Sequence, residues 1–370
     1  MNGARAQGWA MIAVLVVGFG LGVATLSAPG PQQKLAETLT PKEFLGGHTA
    51  AAVNYAMAHN LPIGDQLAAA GGILRWRVFG SGGPQVTVGC DNWLYLTEEL
   101  RPWPGSDAAM QARAATLHQI ATELAAQGIA LQIVLVPDKA RVESAHACGV
   151  PYSAQSRGRY AAFAGMLGGL HVTDVLKAFE GVRNPLYYRT DTHWNQDGAA
   201  LAAAATASTT DAPVARDRPF HTDYAPEADR AGDLLRLMSL DKVPDLAIPL
   251  RPLPDRQKTA TTTETNPPAD TGDLLGDAPV AEIVLLGSSY SVNANFLGAL
   301  EQAFSAPIGQ FAQSGGAFWA SARDYFRSPA FTETPPKLVI WEIPERVVNQ
   351  PIETEEAAFL KNWKAPKADK

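Results

Sequence analysis

Three short and almost wholly apolar runs constrain this fold most: residues 129–136, 283–286 and 338–343, which stop at Pro137, Gly287 and Pro344. A strand that is apolar on both faces must be covered on both faces. That requires helices above and below a mainly parallel sheet. The segments between the runs supply such helices. Ser106 or Asp107 can cap one whose buried stripe is Met110, Ala114, Leu117, Ile120 and Leu124, and Gly128 ends it. Further helices are predicted near residues 159–167, 199–207, 294–304 and 321–326, with strands near 91–96, 171–175 and 308–311. Residues 246–277 are rich in Pro, Thr and Asp and read as a long loop. No internal repeat is evident, so the body reads as one α/β domain.

The ends of the chain read differently. Residues 1–7 carry Arg5 and no acid, and residues 8–28 are nearly continuous apolar sequence without charge. This pattern predicts an export signal or an uncleaved anchor, long enough to span a bilayer with its basic end in the cytoplasm. The expected organisation is a signal peptide or anchor over 1–28, a lead-in segment over 29–80 with a helix near 43–59, a catalytic domain over 81–350, and a C-terminal tail over 351–370. The body is then periplasmic. A net charge of −7 points away from general nucleic-acid binding. Cys90 and Cys148 are the only cysteines, and their spacing fits no zinc pattern. They either stay reduced and buried or pair after export.

In an open α/β sheet, reactive groups collect beyond the carboxyl ends of the strands. Gly287-Ser288-Ser289-Tyr290-Ser291 follows one such strand. Gly287 permits a tight turn that exposes a hydroxyl and presents backbone N–H groups to a developing oxyanion. Ser289 is the nucleophile candidate, with Ser288 and Ser291 as rivals. The competing reading is a plain turn whose serines cap the next helix. Thr190-Asp191-Thr192-His193-Trp194-Asn195 supplies an acid and a base two residues apart, on a segment preceding a helix. There His193 can take a proton from Ser289 while Asp191 orients the imidazole. The other histidines, at 48, 59, 118, 146, 171 and 221, are scattered and none lies three or four residues from His193, so no metal site is expected. His221 and Asp223 read as surface residues. Gly315 and Gly316 are further oxyanion candidates beside the Ser289 amide. Lys139, Arg141, Trp194 and Tyr290 are candidates for substrate binding, as is Trp319.

These segments together, with Asp91-Asn92-Trp93-Leu94-Tyr95-Leu96, Val136-Pro137-Asp138-Lys139-Ala140-Arg141 and Trp341-Glu342-Ile343-Pro344-Glu345-Arg346, resemble the alginate O-acetyltransferase family over about residues 85–350. The resemblance implies an SGNH-hydrolase-like fold of permuted order, in which the Asp-x-His pair precedes the serine, as it does here. It carries Asp191, His193 and Ser289 over as the triad. Ser288 departs from the hydrolase block, which has Asp there. The chain resembles the shorter, membrane-anchored members. The implied activity is transfer of acetyl through a serine ester to an exopolysaccharide such as alginate, without organic cofactor or metal. The implied partners are a membrane-bound O-acyltransferase that delivers acetyl and other polysaccharide secretion proteins. An acetylesterase with the same triad and a non-catalytic scaffold subunit are the alternatives.

Overall fold

The computed structural model describes residues 2–243, 250–267, 281–364 and 366. The chain divides into two compact units: residues 1–78 with 239–251, and residues 79–238 with 252–370.

The first unit is helical. Its first helix, Asn2–Leu26, contains Arg5–Leu26, 22 residues of mean hydropathy 2.2, the one segment among the described residues long and apolar enough to cross a membrane. At about 1.5 Å per residue it reaches about 33 Å, which matches a bilayer core. Within the lead-in segment Pro29–Glu37 is helical, and Pro29 sits at the first turn where a missing N–H costs nothing. The helix expected over 43–59 is two helices, Pro41–Leu45 and His48–His59. They part at Gly46-Gly47, where Gly47 adopts a left-handed φ of 80°.

Among its described residues the second unit carries eleven strands: β1 (Val86–Val88), β2 (Leu94–Leu96), β3 (Ala130–Val136), β4 (His171–Asp174), β5 (Phe220–Tyr224), β6 (Ala228–Arg230), β7 (Asp255–Gln257), β8 (Ala260–Glu264), β9 (Ile283–Leu286), β10 (Ile308–Gln310) and β11 (Leu338–Pro344). Five of them form the expected parallel sheet, in the order β10–β9–β11–β3–β4. Alternate residues of the same strands feed two separate cores. Ile133, Leu135, Leu286, Trp341 and Ile343 face the helices Ser106–Ala125 and Ala154–Met166 through Leu117, Ile120, Leu124 and Phe163. Val134, Val136, Leu285 and Ile340 face the helices Gln196–Thr209 and Phe296–Phe304 through Ala199, Ala202, Phe296 and Leu300. Each such side chain contributes about 1.5–3 kcal/mol by leaving water. Both faces of the runs are therefore apolar for a packing reason.

Three expectations are corrected. The strand over 91–96 is only Leu94–Leu96, because Asp91 and Asn92 take left-handed φ values of 52° and 62° and make the turn of the β1–β2 hairpin. The loop over 246–277 lies partly outside the described residues. Within the rest, β7 pairs with β6 and β8 with β5 in antiparallel ribbons. The Thr-rich run of β8 is β-branched and suits a strand, although its composition resembles a loop. The described part of the C-terminal tail is packed on the domain. Thr354–Asn362 is a helix whose Glu356 receives a bidentate bond from buried Arg113, at 2.7 and 2.8 Å, and Phe359 and Trp363 enter the core. Cys90 and Cys148 are disulfide-bonded across 58 positions of sequence.

Candidate active site

The parallel register sets the floor of the site. Leu286, the last residue of β9, pairs with Trp341 of β11, so Gly287 lies beside Glu342. Gly287 has no substitute there: a Cβ would fall 2.5 Å from Ser291 Oγ and 2.6 Å from Glu342 Oε2. Glu342 gathers this turn. Its Oε2 accepts bonds from Ser288 N (2.7 Å), Ser288 Oγ (2.9 Å) and Ser291 Oγ (3.0 Å). Burial pushes the Glu342 carboxyl up, while those three donors pull it back. The hydroxyls of Ser288 and Ser291 are thus buried on Glu342, and the remaining hydroxyl, Ser289 Oγ, points the other way. The Tyr290 amide is bonded to Ser288 Oγ and the Ser291 amide to Ser288 O, at 3.2 and 3.1 Å. The Ser289 N–H, at the first position of the short helix Ser289–Val292, has no such partner among the described residues.

The acid and base arrive on the loop before the helix Gln196–Thr209, which Asn195 caps through Gly198 N at 2.9 Å. His193 Nε2 lies 2.8 Å from Ser289 Oγ, and His193 Nδ1 lies 2.6 Å from Asp191 Oδ1. With Nδ1–H donating to Asp191, Nε2 accepts from the serine. Burial raises the Asp191 carboxyl, but bonds from the His193 ring, the His193 amide and the Asp233 amide outweigh it and bring its pKa down to about 2. The imidazole lies edge-on to the Tyr290 ring, with centroids 4.9 Å apart.

Four residues outside the predicted set complete the arrangement. Asp233 accepts from Thr192 N (2.7 Å) and sends its own amide to Asp191 Oδ2 (2.9 Å), and its Oδ2 lies 3.7 Å from His193 Nδ1. Burial and the neighbouring Asp191 charge raise its pKa. Asp233 comes this close because Gly232 lies against the Thr190 carbonyl, where a Cβ would collide. Asp255 of β7 accepts from the Arg189 and Thr190 amides at 2.9 and 2.8 Å. Asn293 Nδ2 donates to Ser289 O at 2.9 Å and lies 3.4 Å from His193 Nε2. Glu342 is the fourth. None carries a local signal, because each acts on a segment at least 40 residues away or inside a turn of unremarkable sequence. The exception is Asn293, four positions after Ser289. Asp191, His193 and Asp233 have ligand atoms within 4.8 Å of one another, a spacing that a cation can use. In this structure both oxygens of Asp191 and one of Asp233 accept backbone N–H groups.

The substrate-binding candidates are corrected. Lys139 is fully buried and donates to the carbonyls of Leu94 (2.5 Å), Arg189 (2.9 Å) and Asp191 (2.9 Å). It anchors the acid-bearing loop from below, and burial brings its pKa down to about 8. Arg141 is clamped on Glu345 at 3.0 and 2.5 Å. Trp194 and Tyr290 are core residues: Trp194 Nε1 donates to Tyr290 O and the Tyr290 hydroxyl to Thr192 O. Trp319 is buried against Phe359. The Gly316 amide is bonded to Gln313 O, and Gly315 is an exposed turn glycine at φ 76°. Neither lines the open cleft of about 350 Å³ that holds Asp191, His193 and Asn293.

A family described as an SGNH hydrolase-like domain, acetyltransferase AlgX, matches residues 86–345. The chain is 31% identical over 301 residues to the probable alginate O-acetylase AlgJ of Pseudomonas putida, covering 78% of this chain and 76% of that one. It is 30% identical over 308 residues to the protein of the same name from Pseudomonas aeruginosa, covering 79% and 77%. The solved O-acetyltransferase domain of Pseudomonas putida AlgJ superposes with a TM-score of 0.64 at 28% identity, covering 75% of this chain and 99% of that one.

Proposed function

This chain belongs to the family of SGNH hydrolase-like acetyltransferase domains, and we propose that it is a periplasmic O-acetyltransferase whose triad is Ser289, His193 and Asp191 and whose acceptor is an exopolysaccharide, alginate foremost. The observation that carries this reading is the unbroken run from Ser289 Oγ through both imidazole nitrogens to Asp191 Oδ1, with steps of 2.8 and 2.6 Å, beside an open cleft. The acceptor is taken from the names of relatives matched over three quarters of their length.

In this reading His193 Nε2 removes the hydroxyl proton as Ser289 Oγ attacks the acetyl carbonyl of a donor ester. The Ser289 N–H, with the Asn293 amide beside it, faces the oxyanion. The donor C–O bond breaks, its oxygen takes the proton from His193, and acetyl-Ser289 remains. A sugar hydroxyl then gives its proton to His193 and attacks the acetyl carbonyl, the bond from that carbonyl to Ser289 Oγ breaks, and Oγ takes the proton back from His193. Asp191 stays ionised throughout, as a carboxyl with a pKa near 2 must, and stabilises the imidazolium. The helix Arg5–Leu26 serves as the membrane anchor. It sets the enzyme beside a membrane-bound O-acyltransferase that supplies acetyl, among other polysaccharide secretion proteins.

The test uses the full chain in detergent with an acetyl ester donor and alginate oligosaccharides. Acetylated oligosaccharide is expected, and Ser289→Ala should cut its formation at least about 10³-fold without changing the melting temperature. Acetate release with no acetylated sugar would assign an esterase instead. Unchanged transfer by Ser289→Ala would leave a scaffold.

A further inference from the structure

The cleft beside His193 has one wall that the triad does not use. Arg230, at the end of β6, and Lys258, between β7 and β8, both line it together with Asp191 and Asn293. Both side chains are exposed, and no carboxylate lies within 4 Å of either cation among the described residues. Their positions are nonetheless set by the fold. Arg230 pairs with Asp255 across the β6–β7 ribbon and sends a guanidinium N–H to Thr259 Oγ1 at 3.1 Å. Lys258 is fixed through its carbonyl, which accepts from Gln196 Nε2 at 2.5 Å, and its ammonium lies 5.7 Å from the Tyr224 ring centroid. Gln196 is the first residue of the helix that follows His193, so the cationic wall and the base share one anchor.

Tyr188, Gln196, Gln257 and Lys258 also line a second cleft, of about 620 Å³, so the two are continuous and reach His193. A groove of this kind suits a chain rather than a compact substrate. Charge narrows the choice further. Asp191 and Asp233 place negative charge behind the imidazole, so an anionic acceptor would be repelled unless cations met it at the cleft. Arg230 and Lys258 are the two cations that line the cleft with His193, whereas the larger cleft adds Arg189 and Arg256 together with Asp197, Glu227, Asp229 and Asp255. A guanidinium and an ammonium with no carboxylate partner among the described residues match a carboxylate presented next to a hydroxyl, which is the arrangement of a uronate residue.

We infer that Arg230 and Lys258 form an acceptor subsite that binds the carboxylate of a uronate residue and so sets one of its hydroxyls at His193 Nε2. This rests on the acetyltransferase reading for its place in the reaction, but binding tests it separately. The full chain is titrated by calorimetry with an oligouronate and with the same oligosaccharide after its carboxylates are reduced to primary alcohols. Arg230→Gln and Lys258→Gln are each expected to weaken oligouronate binding about tenfold. Binding of the reduced chain should be equal in all three proteins, and Arg230→Lys should restore most of the loss. Oligouronate binding by the unaltered protein should also weaken with added salt. Equal affinity of the unaltered protein for the two oligosaccharides, or glutamine variants that bind oligouronate normally, would overturn the subsite. Carboxylate-dependent binding without acetyl transfer would overturn the acetyltransferase reading and leave the subsite standing.

Discussion

Glu99 shows how single residues here are set against their own chemistry. It is wholly buried, its two carboxylate oxygens accept no hydrogen bond, and the nearest cation, Arg346, lies 3.8 Å from Oε1. Burial raises its pKa to about 7, with Arg346, Lys139 and Arg159 opposing. A raised pKa means that the folded chain binds the proton more tightly than the unfolded chain. Stability from this group is therefore present below about pH 4.5 and is lost as pH rises through about 7. Asp191 behaves in the opposite sense: its contribution is present above its unfolded pKa and is lost as pH falls toward about 2. Glu99→Gln is expected to be more stable than the parent chain at pH 8 and to lose the decline between pH 4.5 and 7. Denaturant midpoints measured across that range check this, and parallel curves for the two proteins would remove Glu99 as the cause. The three reacting groups were legible as residue types, an acid and a base two positions apart and a serine 96 positions after the base. The state of each was not, because burial and neighbours at long range set it.

The loop that carries Asp191 and His193 is an element without secondary structure, yet it is bonded from three directions. Asp255 accepts its amides at Arg189 and Thr190, Asp233 accepts at Thr192, and Lys139 donates to its carbonyls at Arg189 and Asp191. Loop backbone this far inside a domain would otherwise leave polar groups unsatisfied. Lys139 is the fully buried member of the three. Lys139→Met should cost about 2–4 kcal/mol, since three carbonyls lose their donor. It should also lower acetyl transfer by displacing Asp191. Thermal denaturation with activity assayed below the transition checks both, and full activity in a stable variant would show that the loop holds itself. A lysine just after a strand end looked like a substrate ligand because sequence spacing reports nearness to the sheet edge and not which side of the backbone the ammonium takes. The helices Ser106–Ala125 and Gln196–Thr209 were legible from periodicity and caps. The ribbons of β5 to β8 were not, since short Thr-rich and charged strands share the composition of loops.

At the scale of the whole molecule, the disulfide and the apolar helix both fit life outside the cytoplasm. Closing 58 positions restricts the unfolded chain, and loop-closure entropy puts the stabilisation at about 4 kcal/mol. The Cys90→Ser/Cys148→Ser pair should lose stability of that order, read from urea midpoints, while an unchanged midpoint would show that the hairpin is held by packing alone. The sequence by itself determined the architecture: runs apolar on both faces admit only a sheet covered on both sides, and a glycine at the end of one such run places a serine beyond the sheet. It also determined the kinds of group available for the chemistry, an acid and a base two residues apart and a hydroxyl after a strand. Tertiary structure alone decided which hydroxyl is free, because Glu342 reaches Ser288 and Ser291 only through the β9–β11 register. It also decided which cations meet the cleft. Lys139 is turned into the interior and Arg141 onto Glu345, and Arg230 and Lys258 come to the cleft from ribbons far along the chain. The physical reason is the same in both cases. Local sequence limits backbone geometry and hydrophobic pattern, but the partner of a polar side chain is chosen by whatever distant segment packs against it.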